Sequence, residues 1–600
     1  MKKLFFTTCT LFFISIMLVV SSCSKQEFED DLATDIDDKS NQASLRDKDD
    51  SVYEVKYILE YLKANRPIDW TKERDAKLLY SIGFYTDFSY IIGYKPKGFA
   101  DFENGLSVRE LSNTTWKNAR KNILSAFDFD KNDILQESGD DLFPAVLVES
   151  RSVETMEHLM KMDELNYVEP QTDIFLLMFD KELQASIELT KGPKALPVGR
   201  QIVNVLNNVG CGCGEPTPPP MNDASLIQPG VKMPWNYFFN GIDENVIDEN
   251  GNGGDPSTNN AWNKSTGDNI GVAVIDSGVS FEQENLDGAG QFFDMVGLSF
   301  NRIEQRRDFL GAEFNFEVTI YPPAPNFPGG GVGFLPVESP IIDGREAHDR
   351  CGHGTRQAGL IAAPRGFDGN AVGIAYNCDL YNYRALHNPL ILTIREKLAV
   401  GSALMAAGQE NNIKIISMAA AQFPGSDPSP SILCGINMAY GQGKMIICAA
   451  GTNLPLPILP GMQSDDFVLF PANHLKTIAV TGIQIPAIYP APLGSDAVNC
   501  HDCFAGPEVN FAVIMEDGDS FADGRTTLAV TCSGDIPDYV SGSSSATGSL
   551  SGMAALIWAK LGSSANRGQV LERMRLASSN PNVKHPTLGH GYIIVEDALF

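Results

Sequence analysis

Three short segments flanked by glycine supply the side chains that a hydroxyl nucleophile needs: Val274-Ile275-Asp276-Ser277-Gly278, Gly352-His353-Gly354-Thr355 and Gly542-Ser543-Ser544-Ser545-Ala546-Thr547-Gly548. A serine hydroxyl is a poor nucleophile at its own pKa. His353 would therefore take the proton from Ser544 and return it to the leaving amine, while Asp276 orients the imidazole and stabilises its charged form. Asp, then His, then Ser is one of the chain orders in which such a set occurs. Together the segments predict a hydrolase.

The segments also resemble those of the subtilisin-like serine proteases, the subtilases, whose members carry Asp-Thr/Ser-Gly, then His-Gly-Thr-His-Val-Ala-Gly, then Gly-Thr-Ser-Met-Ala-Thr-Pro. Here the second block reads His353-Gly354-Thr355-Arg356-Gln357-Ala358-Gly359. Val372-Gly373-Ile374-Ala375, Phe470-Pro471-Ala472, Ile478-Ala479-Val480-Thr481-Gly482 and Gly589-His590-Gly591-Tyr592 resemble further landmarks in the same order, from about Pro234-Trp235 to the C-terminus. The resemblance implies a serine endopeptidase with Asp276, His353 and Ser544 as its catalytic residues, acting on polypeptides and needing no cofactor for catalysis.

It also locates the departures. Subtilases normally read Ala-Ala-Gly-Asn, the Asn donating to the tetrahedral intermediate; here the run is Ala449-Ala450-Gly451-Thr452-Asn453. Direct alignment puts Thr452 at the oxyanion, and a one-residue bulge would put Asn453 there; of the two, Asn453 is expected, because a threonine hydroxyl is shorter. Losing one such donor costs about 10²–10³ in kcat. Gly548 replaces the family proline, and Arg356-Gln357 replaces His-Val. The strand resembling the family's substrate-binding strand is Ser417-Met418-Ala419-Ala420-Ala421, which would pair with an extended peptide, with Ala449-Ala450-Gly451 opposite. His348, in Glu346-Ala347-His348-Asp349, reads as part of a solvated loop.

Positioning these groups calls for alternating strands and helices. Asn269–Ile275 is an apolar strand ending at Asp276, Lys414–Met418 a second and Lys444–Cys448 a third; Ile394–Ala407 and Ile432–Tyr440 are the clearest helices between them. In such sheets the site forms at the carboxyl ends of the strands, where Asp276 and Ala449-Ala450-Gly451 fall. His353 and Ser544 would each open a helix, the latter aiming a helix N-terminus at a developing oxyanion. The expected fold is α/β, a subtilisin-like three-layer arrangement around a mostly parallel sheet. Residues around Asn285 to Arg345 and Pro486 to Asp535 read as cleft-edge insertions.

Upstream, Ala145–Glu149 reads as a strand, Ser152 as a helix N-cap with Glu154 in the first turn, and Leu165-Asn166-Tyr167-Val168-Glu169-Pro170 as a second strand. This run resembles the C-terminal half of the subtilase inhibitory propeptide, implying that the chain's own leader is an intramolecular inhibitor; a small accessory domain is the other reading. Val52 to about Phe143 matches nothing recognised. Between Pro170 and Pro234, the stretch Cys211-Gly212-Cys213-Gly214-Glu215-Pro216-Thr217-Pro218-Pro219-Pro220 reads as a stiff linker and a candidate processing region.

The N-terminus carries Lys2-Lys3, a short apolar run and Val20-Ser21-Ser22-Cys23. The tetrad resembles a bacterial lipobox, implying lipid on Cys23; an ordinary signal peptide or an uncleaved anchor are the rivals. The acidic residues that follow form a tether, and they resemble the surface-export signal of lipoproteins in Bacteroidota. The domain plan is thus residues 1–22 signal peptide, 23–50 acidic tether, 51–172 propeptide-like α+β domain, 173–233 linker and 234–600 catalytic domain. The expected location is the outer membrane or cell surface, attached through the lipid, with the catalytic part released if the linker is cut.

Composition agrees with an exported globular enzyme, since 43% hydrophobic residues suffice for a large core. Loss of Lys2 and Lys3 takes the formal charge from −29 to −31, which argues against nucleic acid as a partner because that needs a basic footprint. Of 11 cysteines, Cys9 leaves with the signal peptide and Cys23 takes lipid; Cys211/Cys213 and Cys500/Cys503 are the close pairs. Cys351 reads as a buried structural thiol, or else one lining the site. Asp248, Asn250 and Asn252 place oxygens at alternate positions before Gly253, a candidate structural calcium loop whose twelfth position is Asn259, not Glu. Two functions of different class fit this sequence: a lipid-anchored, self-processing serine endopeptidase, and a catalytically impaired, protease-like peptide-binding or scaffold protein of the cell envelope.

Overall fold

The computed structural model describes residues 52–178, 211–212, 233–243, 260–286, 303–308 and 348–600, apart from short gaps within these ranges. Compact units divide at Arg66/Pro67. In the first unit, helix α1 (Val55–Ala64) is amphipathic, with Val55, Ile58 and Leu62 on its buried face.

The second unit begins with a leader domain. Helix α2 (Ala76–Tyr85) starts on Asp75, whose side chain accepts from the Leu78 amide, and is followed by strand β1 (Ser89–Tyr94). Helix α3 (Thr114–Leu124) is capped by Asn113, and strands β2 (Asp133–Gln136) and β3 (Ala145–Ser150) follow. Helix α4 (Val153–Leu159) has the Ser152 N-cap, which accepts from the Thr155 amide at 3.1 Å; strand β4 (Leu165–Pro170) and helix α5 (Thr172–Met178) complete the domain. The sheet order is β2-β3-β1-β4 with every pairing antiparallel. Strand β1, which the sequence reading passed over, is the strand between β3 and β4, so the β3-α4-β4 run closes only around it.

The α/β domain is built on strands β5 (Gly271–Asp276), β6 (Ile303–Asp308), β7 (Asp379–Arg384), β8 (Ile413–Met418), β9 (Met445–Ala449), β10 (Ile478–Gln484) and β11 (Val509–Glu516). They form one sheet in the order β11-β10-β9-β8-β5-β7-β6, every pair parallel. Parallel strands buried on both faces read as unbroken apolar runs, which is why Val272–Ile275 and Ile446–Cys448 stood out. Helices α6 (His353–Ala362), α7 (Ile394–Gln409), α8 (Pro430–Gly441), α9 (Gly542–Leu561) and α10 (Arg567–Leu576) connect and flank the strands. Strand β11 lies inside the segment expected to be a cleft-edge insertion; Pro486 to Asp535 instead supplies the edge of the sheet.

One face of the sheet meets α6 and α9 in a core holding Ala358, Ile361, Leu550, Met553, Ile557 and Trp558. The other meets α7 and α8 through Ala399, Val400, Ala403, Leu404, Ile432, Ile436 and Ala439. Each fully buried aliphatic side chain contributes about 1.5–3 kcal/mol over an exposed one. Helices α7 and α8 are buried on a second side as well, where the leader domain covers them. A Cβ on Gly401 would lie 2.8 Å from the Phe143 ring, Tyr167 Oη is 3.0 Å from Ser431 Oγ, and the Gln171 side-chain oxygen accepts from the Ile394 amide at the start of α7 at 2.9 Å. The Ile68 amide likewise donates to Asp427, just ahead of α8, at 3.0 Å.

Candidate active site

Asp276 is the last residue of β5 and His353 the first of α6. Nδ1 of His353 lies 2.8 and 3.0 Å from the two carboxylate oxygens of Asp276, with the carboxylate 1% and the histidine 7% exposed. The approach depends on Gly354, where a Cβ would lie 2.2 Å from the Gly278 carbonyl oxygen and 3.2 Å from Asp276 Cβ. A carboxylate at Nδ1 leaves Nε2 free to accept a proton from the cleft side.

The loop expected to be solvated holds these groups in place. Asp349 is 3% exposed, and its oxygens accept from Ser277 Oγ (2.9 Å), the amides of Cys351 (2.9 Å), Gly352 (2.8 Å) and Thr355 (2.9 Å), and Thr355 Oγ1 (2.6 Å). It therefore satisfies orphan amides at the start of α6, where a carboxylate also meets the favourable end of the helix dipole. Ser277 Oγ in turn accepts from the Gly354 amide at 3.0 Å, so strand end and helix start form one hydrogen-bonded unit. The local signal was an acidic residue a few positions ahead of a helix start. His348 beside it is half-buried rather than solvated.

Ser544 sits in the first turn of α9, whose opening requires Gly542 at φ 85°. Ser544 Oγ donates to the Ala419 carbonyl at 3.3 Å; hydrolysis requires it to turn towards His353 across the cleft that both line. That cleft encloses about 230 Å³ and is lined by His353, Arg356, Gln357, Pro389, Leu390, Ala419, Ala420, Ala421, Ala449, Gly451, Thr452, Leu469, Tyr539, Val540 and Ser541, with Ser543, Ser544 and Ser545. Of the substrate-strand candidates, Ala419, Ala420, Ala449 and Gly451 are among this lining. Ser417, Met418 and Ala450 are not: they are buried at 0–1% exposure, and Met418 and Ala450 belong to the core beneath. A strand alternates its faces, so only part of the run can reach the cleft.

The two oxyanion candidates are likewise placed apart. Thr452 lines the cleft, while Asn453 is exposed and its amide donates to the Asp502 carbonyl at 2.7 Å. Thr452 itself is bridged to Cys503. Thr452 Oγ1 is 3.0 Å from Ser543 Oγ and accepts from the Ser543 amide at 3.2 Å; Ser543 Oγ accepts from the Gly451 amide at 3.1 Å. Only one of the two hydroxyl protons is needed between those oxygens, which leaves the other able to point into the cleft.

Cys500 and Cys503 form a disulfide, so neither thiolate is available to a metal. Their loop forms the wall behind Thr452, tied to the start of α9 through Glu516, which accepts from Ser541 Oγ at 2.6 Å and the His501 amide at 2.9 Å. Cys351 is neither a structural nor a reactive thiol: it is joined to Cys211. Cys532 is also disulfide-bonded, and Cys378, Cys434 and Cys448 are free and buried. The other two family departures face each other, since a Cβ on Gly548 would lie 2.9 Å from Gln357 Oε1 and 3.1 Å from Leu360 Cβ. Arg356 lies 3.6 Å from Asp538 and donates to the Gly212 carbonyl; burial pulls its pKa down against Asp538 and Asp349.

The model of the subtilase family, peptidase S8, matches residues 267–591. The chain belongs to the subtilase family. A subtilisin of Bacillus sp. (strain TA39) is 23% identical over 317 residues, which span 52% of this subtilase and 62% of that relative's length. Solved structures similar to it include sphericase (22% identity, 54% of this chain and 86% of that one, TM-score 0.36) and MycP1 of Mycobacterium smegmatis (18% identity, 66% and 90%, TM-score 0.39). The calcium candidates Asp248, Asn250 and Asn252 and the lipidation candidate Cys23 lie outside the described residues. Among the described residues no group of three or more His, Cys, Asp or Glu side chains could hold a metal, and no helix is long and apolar enough to cross a membrane.

Proposed function

We propose that this subtilase is a serine endopeptidase in which Ser544 attacks the peptide carbonyl, His353 carries the proton and Asp276 holds His353. The observation that carries the reading is the 2.8 Å contact of His353 Nδ1 with Asp276 on one wall of a cleft whose other wall bears Ser544 in the first turn of α9. The Ser544 amide, at the positive end of a 20-residue helix, then faces the developing oxyanion. The leader domain acts as the intramolecular inhibitor and the enzyme processes itself; its grip on the start of α7 through Gln171 supports that role. Lys2-Lys3, the apolar run and Cys23 support export as a lipoprotein to the envelope, and Asp248, Asn250 and Asn252 support a structural calcium.

The test is labelling by a serine-reactive fluorophosphonate of the chain from Cys23 onward. Wild type should label and Ser544→Ala should not. Absence of labelling and of casein cleavage by the folded wild type would leave only a peptide-binding or scaffold role.

Thr452 offers a graded test. Thr452→Ala should lower kcat by about 10²-fold with KM little changed, as expected for a donor used only in the transition state. Thr452→Asn should raise kcat above wild type, and Asn453→Ala should leave it unchanged. Steady-state kinetics on one chromogenic peptide decides the matter, and equal losses at 452 and 453 would refute the assignment.

A further inference from the structure

Cys211 and Cys351 are 140 residues apart in sequence and joined by a disulfide. Cys351 is two residues before His353, is 3% exposed, and its amide is held by Asp349. The residue after Cys211 is fastened as well: the Gly212 amide donates to the Cys351 carbonyl at 2.9 Å, and its own carbonyl accepts from Arg356 Nη2. The chain leaving the leader domain is thus strapped, covalently and by two hydrogen bonds, to the first turn of the helix that bears the general base.

The proline-rich linker Glu215–Pro220 lies on the C-terminal side of Cys211. Hydrolysis of any bond there consumes one water, forms a new carboxylate and a new amine, and leaves the cystine untouched. We propose that the Cys211–Cys351 cystine keeps the leader domain joined to the catalytic domain after the linker is cut, making the processed protein a two-chain, disulfide-linked species. This rests on the reading of the leader as an inhibitor in a processed protease. It reverses the expectation that a linker cut would free the catalytic part from an anchor at Cys23. A tethered module stays at millimolar effective concentration, so peptide-bond cleavage alone does not release the leader from α7 and α8.

The experiment uses the full chain from Cys23 onward, carrying Ser544→Ala and a recognition sequence for an added site-specific protease inserted between Gly214 and Glu215. It is folded under oxidising conditions and cut before and after unfolding in non-reducing detergent. Denaturing electrophoresis should show one species without reductant and two with dithiothreitol. With Cys378, Cys434 and Cys448 free and the other pairs assigned, the partner of Cys532 lies on the N-terminal side of the cut. The same protein with Cys532→Ser should therefore still run as one species without reductant, and with Cys211→Ser, Cys351→Ser and Cys532→Ser together it should fall into two. Separation of the Cys532→Ser protein without reductant, or retention of the triple variant as one species, would overturn the proposal. Peptide mapping of the unreduced, uncut wild type gives a readout independent of folding in the variants: a Cys211 peptide joined to a Cys351 peptide is expected, and either cysteine found elsewhere refutes it. Because the added protease makes the cut, failure of self-processing leaves this result intact, and loss of the tether leaves the enzyme reading intact.

Discussion

Asp276→Asn is expected to lower kcat on a peptide substrate by about 10⁴-fold, with KM changed little. Asp276 is 1% exposed, and both its oxygens reach Nδ1 of His353, at 2.8 and 3.0 Å. A carboxylate can only accept there, so the proton is fixed on Nδ1 and Nε2 is left as the base. The carboxamide that replaces it could present its NH2 group instead, which would reverse the tautomer and leave no base facing Ser544. The Ser277 amide, which donates to Asp276 at 2.7 Å, keeps an acceptor in the other carboxamide orientation, so the fold should survive. Adding Ser544→Ala to Asp276→Asn should cost little more than Ser544→Ala alone, because the three groups act as a unit. Kinetics of the single and double variants, with circular dichroism to establish folding, checks this. A loss below tenfold for Asp276→Asn would show that His353 is oriented by something else.

The site was legible where chemistry and local geometry coincide. Asp276 and His353 announce themselves because a strand end and a helix start can meet only when glycine stands at 354, and that leaves a short, fixed spelling in the sequence. The β3-α4-β4 run was legible because Ser152 caps its helix and the apolar period changes on either side. What was missed depends on partners far along the chain. Ser89–Tyr94 becomes a strand by pairing with Ala145–Glu149 and Leu165–Pro170, and a cystine spanning 140 residues has no local signature. Thr452 lines the cleft beside its bridge to Cys503, a contact that motif alignment does not contain. Asp349 looked solvated because an acidic loop residue usually is; five hydrogen bonds make it otherwise.

Lys397→Met should loosen the leader domain by about 3–5 kcal/mol, raising its opening equilibrium by about 10²–10⁴-fold. Lys397 Nζ lies 3.3 Å from Glu169 and 2.9 Å from Asp173, all three side chains being 3% exposed or less. Burial works against the ammonium, but the two carboxylates outweigh it and raise the Lys397 pKa. Glu169 also accepts from Ser429 Oγ at 2.9 Å and Ser431 Oγ at 3.2 Å, yet burial still holds its pKa above the ordinary 4.5. Removing the one cation leaves two carboxylates facing each other out of water. Cys434 reports on the opening, since it neighbours Tyr167 of the leader on the side of α8 away from the sheet. Its alkylation rate, corrected for thiol ionisation, should rise with the opening equilibrium, while Cys448, within the sheet, stays protected. The sign of the pH dependence follows from Glu169: a carboxyl whose docked pKa is raised binds its proton more tightly when docked, so docking weakens as pH rises through the window above 4.5. The excess opening of Lys397→Met should therefore shrink as pH falls towards 4.5, and Glu169→Gln with Asp173→Asn should restore most of the lost docking at neutral pH. An unchanged Cys434 rate in Lys397→Met would mean that the ion cluster does not hold the leader, and that its grip comes from Tyr167, Phe143 and Gln171 instead.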